Sequence, residues 1–141
     1  MDYLSTRDKT LALSAAEAIK MGLSRDGGLF TPARFPSISP LELEAMCEMS
    51  YQQRCAYVMG LFLDDFTPEE VSDFALRAYG PEKFDDPAVA PLRRVGGKTW
   101  CLELWHGPTS AFKDMALQML PQLLSASLKK TGEDKTACIL V

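Results

Sequence analysis

The chain has no apolar run that approaches the ~20 residues needed to cross a bilayer. Its first residues, Met1-Asp2-Tyr3, also lack the basic segment and the following apolar segment of a secretory signal. These two absences disfavour membrane-spanning and secreted proteins, and we expect a cytoplasmic location.

Positive charge, histidine and paired cysteines are also scarce. The 15 Lys and Arg residues are outnumbered by 19 Asp and Glu residues, so the net charge is −4. This acidic balance argues against nucleic acid and anionic membrane surfaces as partners. A single histidine, with four cysteines that form no Cys-x-x-Cys pair, makes a metal site unexpected. We expect free thiols in a reducing compartment at Cys47, Cys55, Cys101 and Cys138.

Helix starts dominate the first part of the chain. Four segments place Ser or Thr three residues before Glu or Gln, which is the spacing of a capping box. They begin at Ser14, Ser39, Ser50 and Thr67. Proline at the first helical position strengthens the second and the fourth. The pattern predicts helices over 14–22 and 40–48, and two more that begin after Ser50 and Thr67.

The last two of these helices carry apolar residues at helical spacing. They are Tyr51, Cys55, Val58, Met59 and Phe62 in one helix, and Val71, Phe74, Ala75 and Ala78 in the other. We predict that both stripes pack in the core rather than form a groove for a partner.

The pattern changes after residue 90. Pro91–Val95 and Lys98–Leu104 flank a pair of glycines, which predicts a β-hairpin. A helix is predicted over 111–130, kinked or split by Pro121 because proline removes a backbone donor. Thr136–Val141 is predicted as a further strand. The expected fold class is α/β, with a strand-helix-strand unit after a helical section.

One segment, His106 to Asp114, points to chemistry. Its sequence, His-Gly-Pro-Thr-Ser-Ala-Phe-Lys-Asp, places Lys113 after a Gly-Pro turn and at the start of an apolar helical stretch. A lysine that is held and partly desolvated can lose its proton and carry out covalent chemistry. The alternative is a solvated lysine in a first helical turn, which is the commoner arrangement.

This segment resembles the cofactor-lysine motif of the threonine synthase family, pyridoxal 5′-phosphate enzymes similar in fold to the tryptophan synthase β-subunit group (fold type II). Tyr3-x-Ser5-Thr6-Arg7 and the block from Gly22 to Pro32 resemble the same family. Ile139-Leu140-Val141 resembles the strand that leads into the family's Ser-Gly-Asp-Thr-Gly loop. The resemblance covers nearly the whole chain. It departs from the family pattern at Asp8, Trp105 and Ser110.

The resemblance implies a mainly helical N-terminal section over 1–90 and the truncated start of the pyridoxal-phosphate-binding α/β domain over 91–141, α+β in the fragment itself. Threonine synthases are several times longer, so we expect an N-terminal fragment that ends before the phosphate-binding loop. The partners implied are the missing C-terminal remainder and the substrate O-phosphohomoserine. Apolar surface left exposed on a fragment favours self-association.

The implied reaction of the whole protein converts O-phospho-L-homoserine and water to L-threonine and phosphate. Lys113 is the implied catalytic and cofactor-binding residue, and Phe112 packs beside the cofactor or in the core. Thr6 and Arg7 are the implied substrate contacts, with a structural ion pair as the alternative for Arg7. Without a glycine-rich phosphate loop, the fragment is expected to bind cofactor weakly and to be inactive.

Several alternatives stay open. The alternative functions are a related phospho-lyase, an inactive threonine-synthase-like homologue, or a helical interaction module. Within the motif, His106 either forms a hydrogen bond near the cofactor or braces the loop. Thr109 or Ser110 is expected to cap the following helix. Asp114 is expected to have a structural role in the first turn, where the helix dipole favours a negative charge.

Overall fold

The computed structural model describes residues 1–138. It contains two compact units, one formed by Met1–Phe35 with the chain from Leu123 onward, and one formed by Pro36–Gln122. Both helices and antiparallel strands are present. Within the described residues, no helix is both long and apolar enough to cross a membrane.

A small antiparallel sheet organises the first unit. Strand β1 (Tyr3–Ser5) lies between β2 (Ala12–Leu13) and β3 (Phe30–Pro32). Just beyond β1, the N–H of Thr6 donates to the carbonyl of Leu29 at 2.8 Å. The sheet therefore brings together two of the sequence blocks that resemble the threonine synthase family.

All four predicted capping boxes are formed. The helices that they begin are α1 (Ala15–Met21), α2 (Pro40–Cys47), α3 (Tyr51–Gly60) and α4 (Pro68–Ala78). In each helix the N-cap hydroxyl accepts from the N–H three residues on, and the Glu or Gln side chain there accepts from the N-cap N–H. Local hydrogen-bond rules therefore locate these helix starts.

Helix α4 carries the core of the second unit. Its predicted apolar stripe is buried at Val71, Phe74, Ala75 and Ala78. The ring of Phe74 meets the ring of Phe66 edge-on, with 5.9 Å between centroids. The core position predicted for this stripe is confirmed.

Helix α3 differs from its prediction. It packs beside α4, yet none of its residues is fully buried. Most of its stripe lines an open groove, namely Tyr51, Cys55, Val58 and Met59. The core position predicted for this stripe is wrong, because helical spacing identifies an apolar face but not what covers that face.

Strands β4 (Leu92–Gly96) and β5 (Thr99–Leu102) form the predicted antiparallel hairpin. The pairing places four side chains on one face. They are Leu92, Arg94, Trp100 and Leu102. Trp100 and Leu102 are each 54% exposed. The hairpin therefore presents an exposed face that is apolar apart from Arg94.

The predicted helix over 111–130 is divided in two. Helix α5 (Asp114–Leu117) is followed by α6 (Leu120–Lys130). Pro121 stands in the first turn of α6, where a missing N–H removes no helical hydrogen bond. The predicted split is therefore confirmed.

The predicted closing strand is absent from the part of it that the structure describes. Thr136, Ala137 and Cys138 have no strand structure, and Ile139, Leu140 and Val141 lie outside the described residues. The strand-helix-strand unit is thus represented by the hairpin and the two helices, and the domain boundary at residue 90 stays a prediction.

Candidate functional site

The loop from Gly107 to Lys113 is closed by local hydrogen bonds. Asp114 Oδ2 accepts from the N–H of Thr109 at 2.8 Å, and Asp114 Oδ1 accepts from the Thr109 hydroxyl at 2.9 Å. The N–H of Ser110 donates to the carbonyl of Gly107 at 3.1 Å. These bonds fix the backbone immediately before Lys113.

Asp114 closes this loop from a buried position, with 1% of its surface exposed. Burial raises the pKa of its carboxyl, but hydrogen bonds from Thr109 and from the N–H of Ala111 outweigh burial and leave the pKa below its ordinary value. A Cβ added at Gly107 would lie 2.6 Å from Asp114 Cβ. Only glycine fits against this carboxylate.

The cap predicted at Thr109 or Ser110 is wrong. Helix α5 begins later than expected, at Asp114, and its N-cap is Lys113, which forms no side-chain cap bond. The Thr109 hydroxyl binds the carboxylate of Asp114 instead. The position of Asp114 in the first turn is as predicted, while its hydrogen bonds to the loop went unforeseen.

His106 lies between two carboxylates, and we call this arrangement of His106, Asp85 and Glu103 the histidine clamp. Nδ1 of His106 lies 2.6 Å from Asp85 Oδ1, and Nε2 lies 2.9 Å from Glu103 Oε2. The N–H of Asp85 also donates to the His106 carbonyl at 3.1 Å. Of the two alternatives for His106, these contacts support the one in which it braces the loop.

The charges around His106 favour its protonated form. The hydrogen bonds that the ring donates to Glu103 and then to Asp85 raise the pKa of the imidazole above 6.5. Arg93 also lies beside Glu103, with Nε 3.8 Å from Glu103 Oε2, and its Nη2 lies 2.8 Å from Asp86 Oδ2. The histidine clamp thus joins the hairpin to the segment that follows α4.

Lys113 and Phe112 line an open groove of about 980 Å³, which also contains the stripe of α3 and the base of the hairpin. Phe112 is 67% exposed. Lys113 is exposed as well, and among residues 1–138 no hydrogen bond or ion pair involves its amine. The expected desolvation of Lys113 is not observed, whereas its backbone is held as expected.

Tyr79 connects the groove to the core. Its hydroxyl donates to the carbonyl of Met115 at 2.6 Å, and its ring meets Tyr51 edge-on, with 5.0 Å between centroids. Cys55 lies in the same wall, where burial raises the pKa of its thiol to about 11. The thiol therefore stays protonated at neutral pH and is a poor nucleophile.

Thr6 and Arg7 lie in the other compact unit. Arg7 Nη1 donates to the main-chain carbonyl of Asp26 at 3.0 Å, and Thr6 Oγ1 accepts from the N–H of Leu29 at 3.1 Å. The structure therefore places Thr6 with Arg7, and Phe112 with Lys113, each pair within one unit.

Asp26 organises the backbone beneath Arg7. The N–H of Gly28 and then the hydroxyl of Ser5 lower the pKa of the Asp26 carboxyl. A Cβ at Gly28 would lie 2.2 Å from Ser5 Oγ, so this turn requires glycine. The block that resembles the family opening is thus fixed by the block that follows it.

Sequence reasoning missed the partners of His106. Glu103 lies three residues before His106, and Asp85 lies 21 residues before His106. No periodic pattern links the three residues. The one available signal was the presence of acids upstream of the chain's single histidine. Tyr51 was identified only as part of an apolar stripe, and Tyr79 was not identified. The groove that contains them forms only after the helices pack.

Comparison with known proteins identifies relatives of this chain. The family profile "Threonine synthase N terminus" matches residues 2–79. The threonine synthase of Pseudomonas aeruginosa is 39% identical over 134 residues, which is 94% of this chain and 28% of that protein. Threonine synthase-like 1 of Homo sapiens is 35% identical over 134 residues, which is 87% of this chain and 18% of that protein.

A crystal structure of PLP-bound threonine synthase from Brucella melitensis matches with a TM-score of 0.87 at 34% identity, over 94% of this chain and 28% of that one. This match confirms the α/β class and the similarity to the start of a fold type II enzyme. The chain spans less than a third of the length of these relatives. This chain belongs to the threonine synthase family and corresponds to its N-terminal part.

Proposed function

We propose that this chain supplies the N-terminal part of an enzyme that converts O-phospho-L-homoserine and water to L-threonine and phosphate with pyridoxal phosphate. The observation that carries the proposal is an accessible lysine, Lys113, on a fixed loop beside an apolar groove in a member of the threonine synthase family. Apolar grooves with a few polar groups are the usual form of small-molecule sites.

Lys113 is the proposed catalytic residue. When bound, pyridoxal phosphate supplies an aldehyde for a lysine amine and a ring that withdraws electrons from the substrate's reacting carbons. The amine of Lys113 would hold the aldehyde carbon and, once released by the substrate amine, carry protons between neighbouring carbons. The closed loop suits this role because it fixes the backbone while the flexible side chain moves.

The groove fits the ring and the aldehyde of the cofactor. Phe112 and Tyr51 offer aromatic surface, and Lys113 offers the amine. We propose that Phe112 packs beside the cofactor ring. A phosphate is usually held by glycine-rich backbone at a helix N-terminus, and residues 1–138 contain no such loop. The groups that hold the phosphate are proposed to lie in the part of the enzyme that this chain does not span.

Thr6 and Arg7 are the proposed substrate contacts. Arg7 uses one guanidinium nitrogen for the carbonyl of Asp26, which leaves other N–H donors for an anionic group. Both residues are exposed, as a role in substrate binding requires. A planar guanidinium that is already held by one bond is suited to bidentate contact with a phosphate.

Lys113→Ala in a full-length protein that carries this chain tests the proposal. The rate of phosphate release from O-phosphohomoserine is expected to fall at least about 100-fold, the lower end of what a positioned proton-transfer group contributes. Lys98→Ala, at an exposed lysine in the hairpin turn, is the matched control and should keep wild-type activity. Borohydride reduction and peptide mass mapping should find the cofactor on Lys113. Capture on a different lysine would overturn the assignment.

The proposal includes a division at residue 90 between a helical section and the start of the cofactor-binding domain. It also holds that this chain alone binds cofactor weakly and does not turn over, because the phosphate-holding groups are expected elsewhere. Mixing the chain with a separately produced C-terminal part should restore phosphate release. Turnover by the chain alone would contradict this part of the proposal.

A threonine-synthase-like protein without this activity is the second candidate, and we consider it because the chain also matches threonine synthase-like 1 of Homo sapiens. Cofactor capture on Lys113 without phosphate release from O-phosphohomoserine would support this candidate. Release of phosphate from a different phosphorylated amine would support a related phospho-lyase. An interaction module would capture no cofactor.

We further propose a cytoplasmic location and self-association of the isolated chain. The free cysteines expected from the sequence suit a reducing compartment. Self-association is proposed because the hairpin exposes Leu92, Trp100 and Leu102 on one face, interrupted only by Arg94. Leu102→Glu should lower the average mass in sedimentation experiments, whereas Thr99→Glu, in the same strand but outside that face, should not.

A further inference from the structure

The histidine clamp lies at the upstream end of the lysine loop. The ring of His106 is mostly enclosed, with 14% of its side chain exposed, and the side chain of Glu103 is enclosed to a similar degree at 18%. Asp85 reaches the other ring nitrogen from solvent, with 80% of its side chain exposed. The clamp therefore joins a solvent-facing acid to an enclosed one through a single imidazole.

The geometry of the clamp depends on the protonation of His106. A neutral imidazole carries one N–H and can donate to one carboxylate, so the second carboxylate faces a lone pair. The imidazolium carries two N–H groups and donates to both Asp85 and Glu103. The distances of 2.6 Å and 2.9 Å match this doubly donating form.

The remaining charges around His106 are consistent with this form. Asp86 is a further acid in the same segment as Asp85, and it raises the pKa of His106 in the same direction. Arg93, from β4, pairs with Asp86 at 2.8 Å and approaches Glu103 at 3.8 Å. Trp105 stacks on the ring, with 5.7 Å between centroids. One cation and three acids thus surround the imidazole.

The lysine loop has an anchor at each end. Upstream, His106 is bonded through both ring nitrogens and through its carbonyl. Downstream, Asp114 binds the N–H and the hydroxyl of Thr109. Asp114 keeps its bonds at neutral and alkaline pH because its pKa is lowered. Only the upstream anchor contains a group that titrates near neutral pH.

We propose that His106 is a positioning residue for Lys113: its protonated ring, held between Asp85 and Glu103, fixes the loop from Gly107 to Lys113, and loss of the ring proton loosens that loop. The inference rests on the proposed function only in treating Lys113 as the reactive lysine. His106 acts through the loop and does not touch the reacting atoms.

Nuclear magnetic resonance of the 141-residue chain tests the proposal, because His106 is the only histidine and its ring signals need no assignment by mutation. In the wild-type chain, the ring signals of His106 and the amide signals of Gly107 and of Thr109 to Lys113 should titrate together, with a midpoint above 6.5. Asp85→Asn should lower both midpoints equally. Asp85 is a mild site for this change because its side chain is 80% exposed.

Glu103→Gln is the second variant and should likewise lower both midpoints together. Asp73→Asn is the control, since Asp73 is an exposed acid paired with Arg77 at 2.7 Å in α4. It should leave the His106 midpoint unchanged. Loop amides that do not follow His106 in the wild-type chain would overturn the proposal, and so would a midpoint that neither clamp variant lowers.

These outcomes are separate from those of the functional proposal, because no cofactor or substrate is present in the titration. A coupled titration without cofactor capture on Lys113 would reject the enzyme function and retain the clamp. Cofactor capture on Lys113 with an uncoupled loop would reject the clamp and retain the function.

Discussion

At the scale of single residues, the lysine loop depends on the pairing of Gly107 with Asp114. The buried carboxylate of Asp114 binds the N–H and hydroxyl of Thr109, and the missing side chain at Gly107 gives it room. The sequence placed both residues in the correct segment. It did not reveal their contact, because a loop's internal hydrogen bonds follow no periodic pattern.

Gly107→Ala should destabilise the chain by about 1–3 kcal/mol, the usual cost of forcing atoms into packed space. The added Cβ would lie 2.6 Å from Asp114 Cβ, so the loop must shift. Gly60→Ala is the matched control: nothing lies within 4 Å of its added Cβ, and the site is helical. The control should be neutral or stabilise the chain by roughly 0.5 kcal/mol. Urea unfolding of both variants measures the difference, and equal midpoints would refute the close contact.

At the scale of helices and strands, the capping boxes show how far local rules reach. Each box needs only a hydroxyl and a Glu or Gln three residues later, so all information lies within one turn. The split at Pro121 is local in the same sense. Burial depends on which distant segments cover a helix, and helical spacing does not reveal this. The same type of apolar stripe is therefore buried in α4 but not in α3.

Thr67→Ala and Ser39→Ala should therefore differ in their effects. Each removes an N-cap hydroxyl that accepts a backbone N–H, a loss of about 1 kcal/mol for the helix concerned. Helix α4 has four buried residues, so Thr67→Ala should lower the global free energy of unfolding by that amount. Helix α2 has none, so Ser39→Ala should mainly increase local hydrogen exchange in α2. A comparable global loss in both variants would show that α2 contributes to the core after all.

At the scale of the whole chain, the hydrogen bonds of two titratable side chains give stability a defined pH range. His106 has a raised pKa, so its contribution is complete below 6.5 and is lost as the pH rises through the raised value. Glu42 behaves oppositely. Hydrogen bonds, first from Ser39 and then from Tyr57, lower its pKa from 4.5 to about 2, so its contribution is complete above 4.5 and is lost as the pH falls towards 2.

Thermal unfolding followed from acid to mildly alkaline pH should consequently show a plateau between 4.5 and 6.5. His106→Gln should flatten the alkaline limb and leave the acid limb intact. Glu42→Gln should reduce the acid limb without removing it, because the pKa values of Asp26 and Asp114 are also lowered, and should leave the alkaline limb intact. An alkaline limb that persists in His106→Gln would mean that another group controls stability there.

The amino-acid sequence alone determined the four capped helix starts, the hairpin and the family, and it singled out Lys113 as the proposed reactive lysine. Those features depend on residues close together in the chain or on a contiguous motif. Only the tertiary structure decided that Asp85 and Glu103 enclose His106, that α3 lines a groove, and that Lys113 stands exposed at that groove. Such features depend on residues that meet after packing, and neither hydrophobic periodicity nor turn chemistry specifies which distant side chains will meet.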